Sequence, residues 1–90
     1  MKGMFIKVEG SVQGVGFRFF TQTIAVKYGI SGWVRNTSDG SVEIEAVGNE
    51  ERLQAFIHEV KQGPPFSKVT KVNIEELQTL SHYSSFKITY

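Results

Sequence analysis

Cysteine is absent from this chain of 90 residues. Disulfide staples, thiolate metal sites and cysteine nucleophiles are therefore excluded, in keeping with a reducing compartment. Charge of one sign is equally lacking, because ten basic and nine acidic side chains are spread along the sequence and leave a net charge of +1. No long-range field favours nucleic acid or an anionic membrane surface, and neither is expected as a partner. No apolar run approaches membrane-spanning length, and the first residues alternate like a strand without a signal-peptide core. The expected location is the cytoplasm, where the acceptor-like triplet Asn36-Thr37-Ser38 has no bearing on glycosylation. Histidine is scarce: His58 and His82 stand alone with no carboxylates at ligand spacing, so neither a metal nor another cofactor is expected.

What is present suits one folded unit. A hydrophobic fraction of 40%, 12% aromatics and seven phenylalanines supply the bulk for a single core. Ninety residues leave no room for a second core, so one domain over 1–90 is expected. No large apolar surplus calls for a second copy, and a monomer is the simplest expectation.

Along the chain, Met4, Ile6 and Val8 alternate with Phe5, Lys7 and Glu9, the period of a half-buried strand ending near Val12. From Arg18 to Tyr28 the apolar positions Phe20, Ile24 and Tyr28 recur every four residues, with Phe17 just ahead. Gly29 then stands where a left-handed cap ends a helix. Ile30 to Arg35 is rich in β-branched and aromatic residues, and Asp39-Gly40 signals a hairpin into Val42, Ile44 and Ala46. Asn49 offers an N-cap, Glu50 and Glu51 suit a first helical turn, and Leu53, Phe56, Ile57 and Val60 follow with helical spacing up to Gly63-Pro64-Pro65. A fourth strand spans about Lys68 to Leu77, and a short one runs from Phe86 to Tyr90. The order β-α-β-β-α-β plus a small strand is that of an α+β, ferredoxin-like (split β-α-β) sandwich, an antiparallel sheet with two helices on one face. In that fold strands one and two are parallel with strand three between them. The residue after strand one and Asn36 then share an edge, roughly 10 Å apart by two strand spacings.

Chemistry concentrates at that edge. In Gly10-Ser11-Val12-Gln13-Gly14-Val15-Gly16-Phe17-Arg18 a strand end meets a helix start, and glycines allow consecutive N–H groups to converge on one point. Arg18 arrives where its planar fork can grip two oxygens of a phosphate or carboxylate. A plain strand-to-helix turn with a solvated arginine is the competing reading. The spacing fits neither a Walker loop nor a dinucleotide fingerprint. Ser11, Ser38 and Ser41 have no partnered histidine, and Glu43 and Glu45 read as a solvated sheet face rather than an acid–base pair. An anion cradle, one arginine and one carboxamide suit a reaction whose leaving group needs no proton, such as phosphoryl transfer from a carboxylate with a pKa near ~4. Arg18 and the amides of the glycine loop hold the phosphoryl group in this reading, and Asn36 orients the water. The outward glutamates weigh against an RNA-binding sheet, for which Phe5 alone is thin support. No pocket for the acyl portion is evident.

These residues resemble the acylphosphatase family. Gly10 through Arg18 meets the signature Gly-x-Val-Gln-Gly-Val-x-Phe-Arg, with Gly16 in its variable slot. Gly32 through Gly48 meets Gly-Trp-Val-Arg-Asn-x-x-x-Gly-x-Val, five free positions and Gly, with no departure at a motif position, and Phe86 to Tyr90 resembles the family's end. The resemblance implies a metal-independent hydrolase splitting small acyl phosphates into carboxylate and inorganic phosphate. It carries phosphate binding to Arg18 and the Gln13–Arg18 segment, water positioning to Asn36, and a supporting hydrogen bond to Thr37. The other use of such a domain is an accessory or regulatory one that binds a phosphorylated metabolite without turnover.

Overall fold

Alternating apolar residues and well-placed caps produce the expected series of elements in the computed structural model, which describes residues 1–90. These are β1 (Lys2–Ser11), α1 (Phe17–Tyr28), β2 (Ser31–Asn36), β3 (Val42–Gly48), α2 (Glu50–Gln62), β4 (Lys68–Glu76) and β5 (Phe86–Ile88). The sheet order is β4-β1-β3-β2-β5. β3 is antiparallel to both β1 and β2, so those two run parallel, and their C-terminal ends emerge on one edge. β5 lies parallel to β2, and β4 antiparallel to β1 on the other flank. This is the ferredoxin-like α+β arrangement.

One face of the sheet carries Ile6, Val8, Val34, Val42, Ile44 and Ala46, and the helices bring Ile24, Ala25, Leu53, Phe56 and Val60 onto it in one buried cluster. Each fully buried aliphatic or aromatic side chain contributes on the order of 1.5–3 kcal/mol. The stripe of α1 differs from the expected Phe20–Ile24–Tyr28 row. Phe17, Thr21, Ile24 and Ala25 are buried, whereas Phe20 and Tyr28 pack at the border of the core. Thr21 can occupy the inner face because its hydroxyl donates to the Phe17 carbonyl at 2.8 Å, which satisfies a polar group in the interior.

The opposite sheet face also departs from a simple solvated surface. Arg35 donates to Glu43 Oε1 through Nε at 3.1 Å and Nη2 at 2.8 Å. Tyr83, from the segment before β5, donates to Glu45. Burial and that carboxylate raise the Tyr83 hydroxyl pKa above its ordinary value. Phe5 and Trp33 flank Glu45 in register, their rings edge-to-face at 6.4 Å.

Candidate active site

The geometry of the site begins with two glycines. Gly14 and Gly16 adopt φ of 75° and 78°, a left-handed conformation that costs a residue with a Cβ roughly 1–2 kcal/mol. The Cβ of an alanine at either position meets nothing within 4 Å, so the requirement is one of backbone conformation and not of space. Gly16 is the N-cap of α1 and supplies no side-chain acceptor, and the first turn of α1 contains no acid. The first amides of that helix are thus left without a partner from the chain at the positive end of its dipole.

Arg18 lies in this open turn. None of the five ion pairs of the molecule includes it. Its guanidinium instead lies over the Tyr90 ring, 4.6 Å from the centroid. The other two arginines are engaged, Arg35 with Glu43 and Arg52 weakly with the Tyr28 carbonyl. A half-buried guanidinium with no anion beside the free end of a helix dipole is set up for an anionic ligand.

The second half of the site is the end of β2. Asn36 is its last residue, paired with Val42 of β3, and the turn that follows is tightly tied. The Thr37 amide donates to the Ser41 carbonyl at 3.0 Å, and the Thr37 and Ser41 hydroxyls are 2.7 Å apart. Asp39 accepts from Lys7 Nζ at 2.9 Å, from Ser41 N at 3.0 Å and from the Ser41 and Thr37 hydroxyls. Lys7 first, then Ser41 and Thr37, hold its carboxyl well below the usual carboxylate range. Gln13 joins the two halves: its Nε2 donates to the Thr37 carbonyl at 2.7 Å and to the Ser41 carbonyl at 2.9 Å.

Between them lies a cleft of about 220 Å³ lined by Gly14, Gly16, Phe17, Arg18 and Asn36, with Val12, Phe19, Ile88 and Tyr90 completing the wall. Of the residues singled out in the sequence, Gly14, Gly16, Phe17, Arg18 and Asn36 are thus brought together. The side chains of Gln13, Val15 and Thr37 point elsewhere: Gln13 and Thr37 into the turn, Val15 against the core. Phe19, Ile88 and Tyr90 were not anticipated from sequence. The signal for Ile88 and Tyr90 was the alternation Phe86, Ile88, Tyr90, which puts them on one side of the β5 segment; Phe19 carried none. A larger hollow of about 340 Å³ lies on the outer face around Trp33 and Tyr83. It holds neither the glycine turn nor Arg18. His58 is exposed and faces Gln62 Nε2 at 3.1 Å, and nowhere do three His, Asp or Glu side chains gather as a metal site does.

Residues 4–88 match the family model described as Acylphosphatase. The chain belongs to the acylphosphatase family. An acylphosphatase of Bacillus licheniformis is 52% identical over 85 residues, 94% of this chain and 94% of that protein. The crystal structure of acylphosphatase from Bacillus subtilis superposes with a TM-score of 0.97 at 49% identity, over 100% of both chains. Full-length HypF, in its phosphate- and nucleotide-bound form, matches with a TM-score of 0.92 at 38% identity. That match covers 99% of this chain and 12% of the larger one. Family membership makes the chain a hydrolase of acyl phosphates. No helix is long and apolar enough to cross a membrane.

Proposed function

We propose that the hydrolysis of acyl phosphates is carried out in this chain by Arg18, the amides of the Gln13–Arg18 turn and Asn36, with no metal or cofactor. The observation that carries the reading is the free Arg18 guanidinium beside an uncapped helix start, in one cleft with Asn36. Arg18 and the amides of the turn and first helical residues hold the phosphoryl oxygens, and they bind more tightly as negative charge shifts onto them in the transition state. Asn36 orients a water in line with the phosphorus–oxygen bond to the acyl group. Water oxygen bonds to phosphorus, the bond to the carboxylate oxygen breaks with its electron pair, and carboxylate and inorganic phosphate are the products. The attacking water's proton passes to a phosphate oxygen, and the carboxylate, a weak base, leaves without one. This division of labour accounts for a cleft in which Arg18 is the one charged side chain.

Thr37 acts through the turn and positions Asn36. Ninety residues work as one domain, as a monomer in the cytoplasm. An accessory role, binding a phosphorylated metabolite without turnover, is favoured by the occurrence of the same fold as a small part of the much larger HypF chain. Near-complete coverage of relatives named acylphosphatase favours turnover. The deciding experiment is steady-state hydrolysis of acetyl and benzoyl phosphates in the presence of a chelator, with orthophosphate as inhibitor. Turnover with competitive inhibition is expected; binding of orthophosphate without turnover supports the accessory role instead.

A further inference from the structure

We infer that the hollow on the outer face of the sheet is a second binding site, one that takes a planar aromatic ring bearing a single carboxylate. The inference goes beyond the hydrolase reading, because this hollow shares no lining residue with the cleft.

The strand ladder builds its floor. Trp33 of β2 pairs with Lys87 of β5 in parallel register, so both side chains leave the same face of the sheet, from strands about 4.8 Å apart. Tyr83, Ser84 and Ser85 of the segment ahead of β5 also line the space, and its volume of about 340 Å³ lies within the range of small-molecule sites, roughly 300–1,000 Å³. The Trp33 ring is half-buried and fixed by its neighbours. Arg35 lies over it with Cζ 5.1 Å from the centroid, Phe5 meets it edge-to-face, and its remaining surface lines the hollow. A flat aromatic ligand gains offset or edge-to-face stacking there.

Charge decides the rest. Lys87 is exposed, takes part in none of the five ion pairs, and is the only lysine, arginine, aspartate or glutamate in the lining. Glu45, beside Trp33 in register, is taken up by the Tyr83 hydroxyl and lies outside the lining. One unanswered ammonium matches one negative charge. No helix residue lines the hollow, so a phosphate dianion lacks the amides that the cleft offers it, whereas a carboxylate meets one cation and the exposed hydroxyls of Ser84 and Ser85. A ring lying on Trp33 carries its carboxylate toward the neighbouring strand, where Lys87 stands.

The walls are held before any ligand arrives. The Gly32 amide donates to the Ser85 carbonyl at 3.0 Å, and the Thr89 amide donates to the Val34 carbonyl at 2.8 Å. Phe86 between them is buried, its ring 6.0 Å from that of Phe56. A surface fixed in this way loses less entropy on binding than a mobile one.

Trp33 is the only tryptophan of the chain, so its fluorescence reads the hollow directly. The test titrates phenylacetate into the full chain, with and without saturating orthophosphate, which occupies the cleft. A saturable change with a Kd of about 1 mM or tighter is expected in both cases. Phenylacetamide, the ring without the charge, and acetate, the charge without the ring, should each bind about tenfold more weakly or worse. Lys87→Gln should weaken phenylacetate by about tenfold and Lys87→Arg should recover most of the loss, while Arg18→Ala binds as the wild type does. Amide shifts on binding should fall on Trp33, Ser84, Ser85 and Lys87 and spare Gly14 to Arg18. No saturable change, a change that orthophosphate or Arg18→Ala abolishes, or a Kd unmoved by Lys87→Gln overturns the site.

Discussion

The two helices begin in opposite ways. At α2, Asn49 takes the extended backbone of an N-cap, its side chain accepts from the amides of Glu51 at 2.9 Å and Arg52 at 3.4 Å, and Glu50 and Glu51 sit in the first turn. A side-chain cap and acids in the first turn both stabilise that helix start. At α1 neither is present: the cap is a left-handed glycine, no acid follows, and a free arginine lies in the first turn. One helix satisfies its own N-terminus; the other leaves its first amides open beside an arginine in no ion pair. The difference teaches where a small domain gives up stability for binding, because the open end is the one facing the cleft and the closed end lies away from it.

That comparison can be broken at several points. The largest effect is expected at Arg18. Replacement by Ala should lower kcat/KM by about 10³-fold, the upper range for losing one oxyanion-stabilising donor. Arg18→Lys should be nearly as poor, because an ammonium does not reproduce a two-pronged grip. Near-normal turnover in the lysine variant would argue that Arg18 supplies charge alone. Next comes Asn36→Ala, with kcat down by about 10²-fold and the orthophosphate inhibition constant little changed, since the cradle is spared. A large loss of phosphate affinity would make Asn36 a ligand contact.

Orthophosphate at one hundred times its Kd should then raise the unfolding free energy by about 2.7 kcal/mol, measured in denaturant titrations. Arg18→Ala should remove most of that gain, and a variant at the closed helix end should keep it. The complementary substitution, Asn49→Ala, should cost roughly 1 kcal/mol of stability, as the loss of a capping side chain does. Its kcat/KM should equal that of the wild type, and a fall in activity would mean that the two helix ends are coupled.

The smallest effect concerns Asp39, whose folded pKa lies below its ordinary 3.8. A carboxylate of this kind stabilises above its unfolded pKa and loses that contribution as the pH falls through the folded value. Asp39→Asn should therefore melt slightly lower than wild type at neutral pH, and the gap should close on strong acidification. A constant gap across a pH series of melting curves would assign the effect to geometry instead of charge.

Local features were the legible ones. Gly29 closes α1 in the left-handed conformation, with its amide donating to the carbonyls of Ala25 and Val26, and Asn49 caps α2. The Asp39-Gly40 signal marks the turn between β2 and β3. Each depends on residues within one turn of the chain. The glycine turn, Arg18 and Asn36 were legible as candidates for the same reason, and the parallel run of β1 and β2 followed from element order. The buried face of α1 was misjudged because Thr21 looks polar in sequence, and only its bond to the Phe17 carbonyl makes it a core residue. The apolar wall escaped because Phe19 and Tyr90 come from opposite ends of the chain, and an exposed aromatic reads the same whether it lines a cleft or stands alone. The Gln13 side chain was likewise unreadable, since both carbonyls it binds lie beyond α1 and β2.

That one carboxamide has a kinetic consequence. Because Gln13 donates to two carbonyls of the hairpin connection, it ties the β2–β3 turn to the glycine turn, and loosening one should slacken the other. The Thr37 and Ser41 amides should accordingly exchange their hydrogens in step with those of the glycine turn, as one cooperative opening.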